Sequence, residues 1–124
     1  MAPVTKRVYW RPFRGRVLAN FNWSRINYRS VVVVTAAEYN PLVIDFRIPI
    51  PGQPLPPPAA DDRRRFIGDA DIWVSNISPH GPDPNRRDPG GVSFVIHVDF
   101  PSPLPVATDI ILLDPPDELI FQQP

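Results

Sequence analysis

The chain has no cysteine. A disulfide framework, a zinc–thiolate site and thiol catalysis are therefore excluded, and the compartment is left open. Histidine is almost as rare, with His80 and His97 alone, which argues against a histidine-built zinc site. The six glycines, at positions 15, 52, 68, 81, 90 and 91, never approach the spacing of a phosphate-cradling loop or a dinucleotide fingerprint. Nucleotide-dependent chemistry is excluded on that ground, and no cofactor is implied. Long apolar runs are also missing. The longest, Val31-Val32-Val33-Val34, stops far short of the roughly 18 residues a membrane-spanning helix needs, so no membrane insertion is expected. The opening residues MAPVTKRVYW hold no apolar segment of the secretory type. Without such a signal, the sequons at Asn22-Trp23-Ser24 and Asn76-Ile77-Ser78 are expected to stay bare.

Acidic residues are absent from the first thirty positions, which carry seven basic ones. The net charge of the 124 residues is zero, yet it is unevenly spread. Residues 1–47 hold eight basic side chains against Glu38 and Asp45, whereas residues 48–124 hold five arginines against eleven acids. Every basic residue except Lys6 is arginine, the side chain suited to bidentate pairing and stacking.

Proline is abundant, 19 of 124 residues, against ordinary usage of about 5%. Spread among valine, isoleucine and phenylalanine, it marks the ends of short strands and argues against long helices. The clearest strand follows Gly90-Gly91. Val92, Phe94, Ile96, Val98 and Phe100 alternate with Ser93, Val95, His97 and Asp99, the period of a half-buried strand, and Pro101 ends it. Further strands are expected at residues 6–10, 15–23, 30–36, 42–50, 66–77 and 106–113, with a short last one at 118–122. The unbroken valines of 31–34 predict burial on both faces. Residues 51–60, PGQPLPPPAA, predict a proline-rich loop, and residues 78–91 a long second loop. A length of 124 residues fits one domain over 1–124. The strand count and turn spacing predict an all-β fold, a single antiparallel β-sandwich of seven or eight strands, immunoglobulin-like or jelly-roll-like.

Ser93, His97 and Asp99 share one strand face, but Ser93 and His97 would lie roughly 13 Å apart at Cα. A catalytic triad needs contacts near 3 Å along both links. The three are therefore expected to form a polar outer face, and no enzymatic activity is expected. In the second loop, Asp83, Asn85 and Asp88 bring three oxygen-bearing side chains together, the donor type for calcium or for glycan hydroxyls. Arg86 and Arg87 would repel a cation there, and aspartate and asparagine also favour turns on their own account.

The candidate binding residues are Arg7, Tyr9, Trp10, Arg11, Phe13, Arg14 and Arg16, where arginine interleaves with aromatics. Such a mixture suits an acidic protein surface, an anionic glycan or single-stranded nucleic acid. The competing reading makes the aromatics core and the arginines the solvated side of the same strands. The charge split favours a non-enzymatic structural or interaction protein. It would form a homo-oligomer or dock a protein partner, its basic-aromatic N-terminal region meeting an acidic C-terminal part. A carbohydrate-binding, lectin-like module is the alternative, with Trp10, Tyr28, Tyr39 and Trp73 as stacking platforms. Nucleic-acid binding comes third, because the overall charge is neutral.

Overall fold

A computed structural model of the chain describes residues 3–40, 52, 64–83, 85 and 87–124. It is an all-β sandwich of two antiparallel sheets. The strands are β1 (Val4–Phe13), β2 (Gly15–Asn22), β3 (Val31–Tyr39), β4 (Arg65–Phe66), β5 (Asp71–His80), β6 (Gly91–Asp99) and β7 (Leu104–Leu113). One sheet runs β1-β7-β3-β4, the other β2-β6-β5. The first strand thus pairs with the last and the second with the next to last. An immunoglobulin domain places its first two strands side by side, so the nested order here is closer to a jelly roll.

Period-two alternation builds the core. Phe94, Ile96 and Val98 of β6 are buried, and Val106 and Ile110 of β7 face them from the other sheet. Val34 of β3 and Ala19 of β2 join the same cluster. Trp23 and Ile26, in the connection after β2, close one end of it. Gly90 packs against that connection, its carbonyl accepting from the Trp23 amide at 2.9 Å. Its φ of 96° suits glycine, and a side chain there would collide with the Ile26 carbonyl oxygen.

Several expectations change. The strand expected at 66–77 is divided. Arg65–Phe66 makes a two-residue pairing with β3, residues 67–70 break the ladder, and β5 starts only at Asp71. Gly68 and Asp69 lie in that break, both poor strand formers. The loop expected over 78–91 is shorter, because Ser78, Pro79 and His80 still pair with β6. Residues 118–122 form no strand, and among the described residues none pairs with them. Val33 is 41% exposed, so the valine run of β3 is not buried on both faces. The strand expected at 42–50 and most of the proline-rich loop at 51–60 lie outside the described residues.

Candidate functional site

The basic-aromatic N-terminal residues are dealt out by the alternation of β1. Trp10 and Phe13 pack against the core, and Trp10 meets Phe94 edge-on at 6.1 Å. Tyr9 turns to the opposite face and packs against Tyr39, the rings tilted by 56° with centroids 4.8 Å apart. Arg7, on the same outer face, is engaged by Asp109, its Nε donating at 2.6 Å and its Nη2 at 3.0 Å. Arg65 adds a third contact to that carboxylate at 2.5 Å and a fourth bond to the Thr35 hydroxyl at 3.0 Å. The hydrogen bonds from Arg7, then those from Arg65, hold the Asp109 carboxyl below the ordinary carboxylate range, against the opposing effect of partial burial. Arg14 donates to the Pro101 carbonyl at 2.7 Å, bracing the end of β6. Arg11 and Arg16 are exposed. The seven candidates therefore do not form one surface: two point inward, and the others divide between the two sheets and the turn joining them.

The loop candidates Asp83, Asn85 and Asp88 are organised by local bonds. Asp83 and Asp88 exchange backbone hydrogen bonds at 2.9 Å, and the Asp83 carboxylate accepts from the Asn85 amide at 3.1 Å. Asp88 accepts from the Gly90 amide at 2.9 Å and from His80 Nδ1 at 2.8 Å. The Gly90 bond, then His80, lowers the Asp88 carboxyl from its usual value. Among the described residues no cluster of three or more metal-ligating side chains occurs. The opposite ring nitrogen of His80 lies 2.7 Å from Asn20 Oδ1, which also accepts from Ser93 at 3.0 Å. A chain Asp88–His80–Asn20–Ser93 thus ties the loop to β5, β2 and β6. It places an amide between histidine and serine, so the serine has no base in contact through this route.

His97 has a different neighbour. Its Nε2 lies 2.8 Å from the Ser75 hydroxyl on β5. Trp73, directly across the ladder, stacks on the imidazole at 4.6 Å with the planes 5° apart. Trp73 remains 47% exposed. Two residues along the ladder Asp71 pairs with Asp99, two exposed carboxylates directly opposite one another, an arrangement that costs stability in a sheet. Of the proposed stacking aromatics, Tyr28 and Trp73 are exposed, Tyr39 is buried and Trp10 lies against the core. The partners of His97 and Ser93 come from adjacent strands, and only the strand order reveals them.

Among the described residues, the most exposed apolar side chains near one another in sequence follow β7. Leu119 is 76% exposed, Ile120 75% and Phe121 98%. Residues 114–124 form neither helix nor strand. They leave the sandwich beside the connection between β2 and β3, where Arg25, Asn27 and Ser30 line a shallow depression with Leu113, Asp114 and Pro115.

Comparison with protein-family models, curated proteins and solved structures finds no match to this chain.

Proposed function

We propose that this is a non-enzymatic β-sandwich whose work is association with further copies of itself. The observation that carries the reading is the run Leu119-Ile120-Phe121, three large apolar side chains, each at least 75% exposed, on a segment that is neither helix nor strand. Burying each such side chain contributes roughly 1.5–3 kcal/mol, so the segment gains by finding a surface. Pro115 and Pro116 keep its start out of a helix. Asp114, Asp117 and Glu118 give it a negative charge that complements the acid-free first thirty residues, an arrangement suited to head-to-tail assembly. Light scattering over a range of protein and salt concentrations tests the reading. Mass rising with concentration, and less steeply at high salt, is expected. A monomer under every condition removes it.

A second reading is carbohydrate binding through Trp73. Its ring is held by the parallel His97 imidazole, itself fixed by Ser75, which leaves an aromatic plate with Asp71 and Asp99 nearby to accept from hydroxyls. A glycan array probed with the protein and with Trp73→Ala tests it. Binding lost in the variant is expected, and an array without a binder removes the reading.

A further inference from the structure

The connection between β2 and β3 holds out an adjacent aromatic and cation, Tyr28 and Arg29. Both are exposed, Tyr28 to 72%. The backbone beneath them is fixed. Asn27 Oδ1 accepts from the Arg29 amide at 2.8 Å, and the Asn27 carbonyl accepts from the Ser30 amide at 2.9 Å. The Tyr28 amide donates to the Gly81 carbonyl at 2.9 Å, which pins this turn beside the C-terminal end of β5. Side chains on an ordered turn bind without the cost of ordering the backbone. Tyrosine and arginine are also among the types that dominate interface energetics.

The other end of β5 carries the complement. Asp71 and Trp73 share one face of the strand, with Asp99 and His97 directly across from them on β6. The imidazole covers one side of the Trp73 indole, and 47% of Trp73 stays exposed. Both carboxylates are exposed, and among the described residues neither holds an ion pair or a side-chain hydrogen bond. Like charges directly opposite one another in a ladder repel. A guanidinium relieves that repulsion while stacking on the indole, and arginine is suited to both contacts.

Arg29 cannot reach this face in its own copy. The ten residues of β5 lie between Gly81 and the Asp71 end, a span of roughly 25–30 Å. We infer that the Tyr28–Arg29 turn of one copy docks on the Trp73 face of a second copy, with Arg29 against the indole and beside the Asp71 and Asp99 carboxylates. This contact presupposes the self-association proposed above and gives it a direction. A turn at one end and a face at the other make the contact head-to-tail, so each copy keeps one turn or one face for the next. Leu113 pairs with Val31, so residues 114–124 start from the same end as the turn.

Two full-length variants test the contact. Tyr28→Ser with Arg29→Ser strips the turn and keeps the face. Asp71→Lys blocks the face and keeps the turn. It also replaces a like-charged pair with an opposite one, so its unfolding midpoint should hold or rise. Sedimentation compares each variant, the native chain and an equal mixture of the variants over one range of concentrations. Each variant alone is expected to associate at least about tenfold more weakly than the native chain. Where both are monomers, their mixture is expected to form dimers and nothing larger, because one intact turn then meets one intact face. Native-strength association by either variant, or a mixture no heavier than its components, overturns docking on the Trp73 face and leaves self-association standing. A native chain that stays monomeric overturns both.

Discussion

Trp10 donates its indole N–H to the Thr108 hydroxyl at 2.9 Å, inside the sandwich. Thr108 is fully buried and is the one polar side chain so buried among the described residues. The two strands that carry this bond, β1 and β7, are neighbours in the sheet. Thr108→Val keeps the shape and removes the acceptor, leaving the indole N–H unsatisfied. A loss of about 1–3 kcal/mol is expected, read as a lower midpoint in chemical denaturation at unchanged slope.

Phe94 and His97 sit on opposite faces of β6 and should respond oppositely. Phe94 is fully buried against Trp10. Phe94→Ala is expected to cost about 3–5 kcal/mol. His97→Ala removes one stacked ring and one hydrogen bond at a half-exposed site, and about 0.5–1.5 kcal/mol is expected. Denaturation of both variants measures the difference, and equal losses would contradict the assignment of faces.

Asp109 makes stability depend on acid. Its carboxyl is held below the ordinary value, first by the Arg7 hydrogen bonds and then by Arg65. A depressed carboxyl stabilises the fold fully above its unfolded pKa of about 3.9, and that contribution is lost as pH falls through the lower folded value. Thermal melts of the native chain should therefore fall below about pH 4, and more gently in Asp109→Asn, which is already weakened at neutral pH. Parallel acid curves for the two would count against the ion pairs as the cause.

Charge reversal probes assembly. Lys6→Glu and Glu118→Lys should each weaken self-association, by about tenfold or more in Kd. High salt should narrow the gap between each variant and the native chain, because it screens the attraction between the basic and acidic regions. Sedimentation at matched concentrations and two salt levels measures this, and an unchanged gap would count against charge as the cause.

Gly90→Ala is expected to be harmful out of proportion to one methyl group. The positive φ costs about 1–3 kcal/mol for a residue with a side chain, and the added carbon meets the Ile26 carbonyl oxygen. Thermal melting measures this, with Gly15→Ala as the comparison. Gly15 has a similar φ of 79° but open space around it.

Much of the sandwich is legible in the chain because period-two alternation is a local signal. Val92 to Val98 shows it, as does the inward set Ala19 and Phe21 on β2. What stays hidden depends on neighbours distant in sequence. Val33 reads as buried because its side chain is apolar, but it stays 41% exposed on the face of β3 opposite the buried Val34. Glu118 to Gln122 sets three large apolar residues in a row, as a short strand could, yet it forms no strand. Trp10 and Tyr9 are adjacent and equally aromatic, and only the register of β1 on β7 sends one to the core and the other to Tyr39. The contacts of His97 with Ser75 and of Ser93 with Asn20 follow from strand order, which spacing along one strand does not contain.

The pairing of Val4 with Leu112 joins the two extremities of the chain. Loop-closure entropy must be met before such a distant contact returns anything, so this topology has high contact order and should fold slowly. It also sets a time for folding during synthesis. β1 emerges first and can find its place only after β7 has left the ribosome. Until then its edge, with Trp10 and Phe13, waits without a partner, and the nascent chain is at its most vulnerable to aggregation.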